Sequence, residues 1–331
     1  MNRRSLILAL AAAAGVGAPF FAQAQAASAG AAQGWPTKPV TLIVPFPPGG
    51  GTDAFARPLA AQLTKQLGRQ VVIDNRGGAG GTVGASVAAK AAPDGYTYFI
   101  GAVHHAIAPS FYKLDYDIER DLIPMTPIAQ PPQVIVVNPK RVQATDMKSF
   151  LDHARANPGK LNYASAGNGT SHHLAGELFK QQTKTFIVHI PYRGAGPALQ
   201  DLVAGNVDVM FDGLGSSAQH IRAGSIRPLA VAAPKRVAAF PNLPTTAEVG
   251  LPDYQVSTWY GIWAVKGTPK EIVDRMYDEV VKALNSPELR DIWAAQGSEI
   301  AVMKPADFAR FLNSEIKRWA QVTKASGARL D

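Results

Sequence analysis

Three times in its first 105 residues the chain runs an apolar β-type segment into a loop of small residues that opens onto something new, and no feature limits the possible folds more. Val40-Thr41-Leu42-Ile43-Val44 leads through Pro45 to Asp53, read as PFPPGGGTD, into an apolar stripe at Phe55, Leu59, Leu63 and Leu67. That order reads as strand, tight loop and helix, with Pro58 removing one backbone hydrogen bond near the first turns. Val71-Val72-Ile73-Asp74 leads through Asn75-Arg76-Gly77-Gly78-Ala79-Gly80-Gly81-Thr82 into a second helix. Tyr96 to Ile100, entered through the turn Pro93-Asp94-Gly95, leaves through Gly101-Ala102-Val103-His104-His105. Strands alternating with helices predict an α/β fold of parallel sheets covered by helices.

The design repeats further along. Gln133 to Val137 is an apolar strand ended by Asn138-Pro139, and a helix from about Asp146 to Ala156 stops at Asn157-Pro158-Gly159. Leu161 to Ala164 runs into Ser165-Ala166-Gly167-Asn168-Gly169-Thr170-Ser171, and Phe186 to Ile190 into Pro191-Tyr192-Arg193-Gly194-Ala195-Gly196-Pro197. Val207 to Phe211 opens onto Asp212-Gly213-Leu214-Gly215, and Pro228 to Ala232 is a further strand. Thr258 to Val265 is a long aromatic strand, after which Thr268-Pro269-Lys270-Glu271 has capping-box spacing. Two packing helices follow, one with Val273, Met276, Val280 and Leu284 on its buried face and one from about Ala306 to Val322. The simplest topology makes the strands around Gln133 and Thr258 two crossings between domains: 35–131 plus 255–331 form domain 1 and 132–254 form domain 2. The loops of both then face one cleft, at the carboxyl ends of the strands where open α/β sheets bind ligands.

Those loops suggest the ligand's charge. Unpaired N–H groups at a helix N-terminus attract negative charge, and glycine lets a ligand reach the backbone. An anion site, most naturally for a carboxylate, follows; glycines that merely make tight turns would explain any one loop equally well.

Composition narrows the setting. Residues 1–26 carry a basic head at Arg3-Arg4, an apolar stretch from Leu6 to Ala14 and the A-x-A site Ala24-Gln25-Ala26, so a secretory signal cut after Ala26 is expected, with Sec preferred over twin-arginine export. The formal charge of +8 includes Arg3 and Arg4. The basic residues are scattered singly and no nucleic-acid motif appears, so no nucleic-acid partner is expected. With no cysteine, neither a lipid-anchored N-terminal Cys nor a disulfide framework is available. A monomer in the periplasm is expected.

Several chemistries fail at the residues themselves. Gly49-Gly50-Gly51 lacks the lysine of a phosphate-binding G-x-x-x-x-G-K-[ST] loop, and Gly77 to Gly84 follows the second strand without the acidic residue of a dinucleotide site. Ser165 in Y-A-S-A-G lacks the first glycine of G-x-S-x-G, which weakens a secreted-hydrolase reading. His104-His105 and His172-His173 are adjacent pairs whose side chains diverge, so no metal site is expected. Asp53 and Asp212, a carboxylate pair on paper, suit helix capping or loop bracing better. No catalytic residue, metal or cofactor is assigned.

The segments PFPPGGGTDAFAR, NRGGAGGTVGA, PDGYT, NPGKLNYASAGNGTSHHLAGELFK, PYRGAGPALQDLVAGNVDVMFDG and FPNLPTTAEVGLPDY, in order from Trp35 onward, resemble the Bug-type receptors of tripartite tricarboxylate transporters. The resemblance implies a two-domain periplasmic-binding-protein fold of type 2, α/β, joined by two crossing strands and closing like a clamshell on a small carboxylate held mainly by backbone amides, hydroxyls and water. Carried over by motif, the ligand would meet Gly49, Gly50, Gly51, Thr52 and Asp53; Gly78, Gly80, Gly81 and Thr82; and His105 with Ala106. From the second domain it would meet Ala166, Gly167, Asn168, Gly169, Thr170 and Ser171; Arg193, Gly194 and Gly196; and Asp212. The family commonly has proline where Gly77 stands, implying a looser loop here, and His104 and His172 are additional imidazoles, each preceding the family's histidine position. The implied role is capture of a carboxylate and delivery to membrane permease subunits; a sensor feeding a membrane kinase is the alternative.

Overall fold

The computed structural model describes residues 34–254, 256 and 258–326, so the signal segment 1–26 lies outside the described residues. The first sheet contains β1 (Val40–Val44), β2 (Val71–Asn75), β3 (Thr97–Ala102), β4 (Leu122–Ala129) and β10 (Tyr260–Val265) in the order β2-β1-β3-β10-β4. The second contains β5 (Gln133–Val137), β6 (Asn162–Ser165), β7 (Val188–Pro191), β8 (Val209–Gly213) and β9 (Arg227–Ala232) in the order β7-β6-β8-β5-β9. The two orders are equivalent, with the fourth place in each taken by the strand that follows a crossing between sheets.

That placement corrects the expectation of purely parallel sheets. β1 runs parallel to β2 and β3, and β6 parallel to β7 and β8, but β10 is antiparallel to β3 and β4 and β5 is antiparallel to β8 and β9. A chain arriving from the other sheet enters from the loop end, so it must run against the strands that lead out to the loops. The crossings lie between Ala129 and Gln133 and between Ala232 and Tyr260.

Helices cover both faces of both sheets. In chain order they are α1 (Gly51–Leu67), α2 (Thr82–Ala89), α3 (His104–Ile107), α4 (Met147–Ala156), α5 (Ser171–Thr183), α6 (Ala195–Ala204), α7 (Leu214–Arg222), α8 (Lys270–Leu284), α9 (Pro287–Ala295) and α10 (Pro305–Ser326). Successive strand residues point to opposite faces: Leu42 and Val44 pack with Phe55, Leu59 and Met276, while Ile43 packs with Phe99, Trp263 and Trp319. Likewise Ile135 and Val137 join Tyr163, Phe179 and Phe211, while Val134 and Val136 join Leu199 and Met210. Burial on both faces explains why these strands read as continuous apolar runs.

Pro58 is carried inside α1, which continues through it. The capping box expected at Thr268 does not form: the Thr268 hydroxyl donates to the Val265 carbonyl at 2.8 Å, closing the turn after β10, and Pro269 is the cap residue of α8. A capping box stands instead at α4, where Asp146 accepts from the Ser149 N–H at 2.7 Å.

Candidate functional site

The loop from β1 to α1 is held from behind. Asp53 accepts hydrogen bonds from the Gly49 N–H at 3.0 Å, from Arg57 Nε at 2.7 Å and from Asn75 Nδ2 at 3.2 Å, and Asn75 also donates to the Phe46 carbonyl at 2.8 Å. With its carboxylate turned to the loop and to Arg57, Asp53 braces the polyproline-glycine turn. The cap residue of α1 is Gly50, with no side chain to accept the first helical N–H groups, so those donors stay open to a ligand. α6 has the same construction, with Gly194 as its cap residue and no side-chain acceptor there.

The second loop is built on left-handed backbone. Gly78, Gly80 and Gly81 have φ of 143°, 62° and 94°, and Ala79 between them has φ 45°, which costs a residue with a Cβ about 1 kcal/mol. Gly77, where a looser loop was expected, packs closely: a Cβ there would lie 2.7 Å from Pro47 Cδ. The loop is tied to β3 by His105, whose Nδ1 accepts from the Ala102 N–H at 3.0 Å while Nε2 faces the Gly81 carbonyl at 3.3 Å. Those partners fit a neutral ring with its proton on Nε2. Thr82 donates to the Ala79 carbonyl at 2.9 Å.

In the second domain, Thr170 caps α5 and donates to the Gly167 carbonyl at 2.7 Å. Asp212, fully buried at the end of β8, accepts from Ser216 Oγ at 2.7 Å, Ser217 Oγ at 2.6 Å and His172 Nε2 at 3.0 Å. Ser165 Oγ shares a hydrogen bond with His189 Nε2 at 2.6 Å and accepts from the Gly167 N–H at 3.1 Å, so this hydroxyl, wholly buried, anchors its loop.

The two halves meet across these loops. A Cβ on Gly196 would lie 2.1 Å from the Pro48 carbonyl oxygen, one on Gly194 2.9 Å from Pro47 Cδ, and one on Gly50 3.3 Å from the Gly196 nitrogen. Tyr112 Oη donates to the Asn168 carbonyl at 2.7 Å, and the Ser171 N–H donates to His104 Nδ1 at 3.1 Å. The His104 and His172 rings lie 5.3 Å apart. Inside this seam, Asn168 Oδ1, Ser171 Oγ and His172 Nδ1 are buried without a hydrogen-bond partner, as are Gln133 Oε1 and Thr258 Oγ1 where the chain crosses between sheets. No arginine or lysine is buried among the described residues.

Of the predicted site, Gly49, Gly50, Gly80, Gly167, Gly169, Gly194 and Gly196 come together at one seam with Asn168 and Ser171, whereas other predicted residues pack within their own half. Gly51 abuts Tyr260 Oη, Gly78 abuts Val83, and Gly81 abuts Phe46. Thr52 and Ala166 are buried, Ala106 lies in the apolar core beside Val103, and Arg193 is exposed. Tyr112 joins the seam without having been picked out from sequence; a tyrosine outside any motif gives no warning that it will bond a carbonyl 56 residues away.

Burial sets a pH dependence. It holds His105 down at about 4 and, helped by His172 and His105, holds His104 well below its ordinary value. A depressed histidine is neutral when folded and takes up a proton on unfolding, so its contribution is complete above about pH 6.5 and is lost as pH falls toward the folded value. Each should remove about 1.4 kcal/mol per pH unit below pH 6.5. Urea unfolding at pH 7.5, 6 and 5 checks this; stability that holds level over that interval would refute it.

The tripartite tricarboxylate transporter family receptor profile matches residues 55–328. The protein BugT of Bordetella pertussis is 37% identical over 317 residues, 94% of this chain and 96% of that one. Among solved structures, an R. palustris protein with adipate superposes with TM-score 0.85 at 38% identity, covering 89% of this chain and 100% of that one. MatC from Rhodopseudomonas palustris with bound malate superposes with TM-score 0.81 at 34% identity, covering 87% and 99%. Because the profile spans most of the sequence and the relatives match nearly end to end, the chain belongs to the tripartite tricarboxylate transporter receptor family.

Proposed function

We propose that this protein is the periplasmic receptor that captures a small carboxylate and delivers it to the permease subunits of a tripartite tricarboxylate-type carrier. One observation carries the reading. Two uncapped helix N-termini, at Gly50 and Gly194, come from different domains and meet at a seam that also buries unpartnered polar atoms and no cationic side chain. Oriented N–H groups and helix dipoles stabilise an anion there without an arginine clamp. Relatives solved with adipate and with malate support the same ligand class. The reading takes 35–131 plus 255–331 and 132–254 as the two closing domains, with Gly49, Gly50, Gly80, Asn168 to Ser171 and Gly194 to Gly196 as the ligand's contacts. The closed form, favoured by contacts made to both domains at once, is what the permease recognises.

Thermal denaturation of the chain from Ala27 onward, against mono-, di- and tricarboxylates, amino acids and aromatic acids with sugars and phosphate as controls, tests it. A ligand at 100 times its dissociation constant stabilises by about 2.7 kcal/mol, a shift of roughly 5 °C or more. A shift confined to carboxylates is expected. If protein that has been unfolded and refolded to free it of ligand shows no shift with any acid, the carboxylate reading fails.

Closure has its own test. Tyr112→Phe removes a hydrogen bond made only when the domains meet, worth about 1 kcal/mol, so the ligand found above should bind roughly fivefold more weakly. The melting temperature without ligand should stay within about a degree. Unchanged affinity would mean that Tyr112 does not hold the halves together.

A further inference from the structure

The segment 168–172 leaves three buried polar atoms unpartnered at the seam, and their chemistry is not that of a site for carboxylates alone. His172 and Ser171 are 4% and 1% exposed. Asp212 accepts two serine hydroxyls on one oxygen and faces His172 Nε2 with the other. An ionised carboxylate only accepts, so the proton in the His172–Asp212 bond is the one on Nε2. His172 stands in the first turn of α5, where the positive end of the helix disfavours an imidazolium, so with Nε2 donating to Asp212 its Nδ1 presents a lone pair with nothing donating to it. Asn168 Oδ1 is likewise an acceptor without a donor. The Ser171 N–H is already taken by His104 Nδ1, which leaves that residue's hydroxyl as its remaining polar group.

A ligand offering only carboxylate oxygens would set lone pairs against these lone pairs. A ligand bearing an O–H would satisfy Nδ1 directly. We propose that the cargo is a hydroxy-carboxylate, its carboxylate held by the helix N-termini and its hydroxyl donated to His172 Nδ1 with Ser171 Oγ alongside. The proposal rests on the carboxylate reading above and adds to it a specificity-determining residue. His172 does this because Asp212 fixes its tautomer, while the Ser171 backbone bond to His104 of the facing domain keeps the start of α5 at the seam. A site that buries an acceptor for a ligand hydroxyl discriminates strongly against the analogue lacking it, since that acceptor is left dry and unpaired.

The test is calorimetric titration with matched pairs: malate with succinate, citrate with tricarballylate, lactate with propionate, and 4-hydroxybenzoate with benzoate. In the best-binding pair the hydroxylated acid should bind at least about tenfold more tightly. His172→Gln keeps an N–H in reach of Asp212 but carries its acceptor oxygen away from the position of Nδ1, and should narrow that ratio to under about threefold while retaining affinity for the deoxy acid. Ser171→Ala provides a second variant if His172→Gln does not fold, and should narrow the ratio in the same direction. Equal binding of both members of every pair that binds, or a ratio unchanged in both variants, overturns the proposal while leaving the carboxylate reading standing. Binding of none of these acids by ligand-free protein overturns both.

Discussion

Gly196→Ala is expected to weaken ligand binding by about 100-fold or more while leaving the unliganded fold as stable as the parent. Gly196 is the second residue of α6 and has ordinary helical backbone, so alanine introduces no local strain and should favour the helix by up to about 1 kcal/mol. Its Cβ, however, would lie 2.1 Å from the Pro48 oxygen and 3.1 Å from the Pro48 carbonyl carbon, both backbone atoms of the facing domain. Neither can rotate aside. The seam must open by an ångström or more, and with it go the bonds from Tyr112 to Asn168 and from Ser171 to His104, each worth about 1 kcal/mol, together with the ligand's simultaneous contact to both halves. Gly50→Ala meets its nearest atoms only at 3.3 Å and should cost much less. Gly51→Ala provides the contrast: its Cβ would meet Tyr260 Oη at 1.9 Å, inside the domain containing α1 and β10, so it should lower the melting temperature of the unliganded protein instead. Titration calorimetry and melting curves on the three variants separate these cases. Tight ligand binding by Gly196→Ala would mean that the domains need not meet at this point.

The loops were legible because their chemistry is local. Pro-Pro-Gly-Gly-Gly after an apolar run can hardly be anything but a strand end and a helix start, and the same signature recurs at Gly167 and Gly194. β4 was not legible, because L-I-P-M-T-P-I-A carries Pro124 and Pro127, which read as breaks. It is tolerated as the outermost strand, bonded only to β10 with register shifts near both prolines, where a missing N–H disrupts no second neighbour. α9 went unread although Ser286-Pro287 is a cap followed by proline in the first turn, a signal present in the sequence. The sheets' mixed direction could not be read from strand patterns, since a doubly buried strand looks the same whichever way it runs. The seam itself was beyond reach for a different reason: His104 meeting Ser171 and Gly49 meeting Gly196 depend on how two domains close, which no periodicity encodes.

Asp212 puts the division between binding and bracing to a direct test. The resemblance places it among the ligand's contacts, whereas the structure has both of its oxygens occupied by Ser216, Ser217 and His172 at full burial. Asp212→Ala would leave three buried donors without their acceptor, at about 1–3 kcal/mol for each that finds no substitute. Ser216 can fall back on the Gly213 carbonyl, 3.0 Å away, but Ser217 and the His172 imidazole have no such alternative among their recorded contacts. A loss of about 3 kcal/mol is therefore expected, read as a fall in melting temperature of roughly 6 °C or more for a protein of this size. Asp212→Asn keeps the shape and one acceptor oxygen but turns an N–H toward at least one existing donor, so it should fall between the parent and alanine. If the role is bracing, affinity at a temperature where both variants remain folded should change less than stability does, and any change should follow the displacement of His172. A parent-like melting curve in Asp212→Asn combined with a large loss of affinity would place the carboxylate on the ligand instead, and the hydrogen bonds now seen at Asp212 would then have to rearrange when ligand enters.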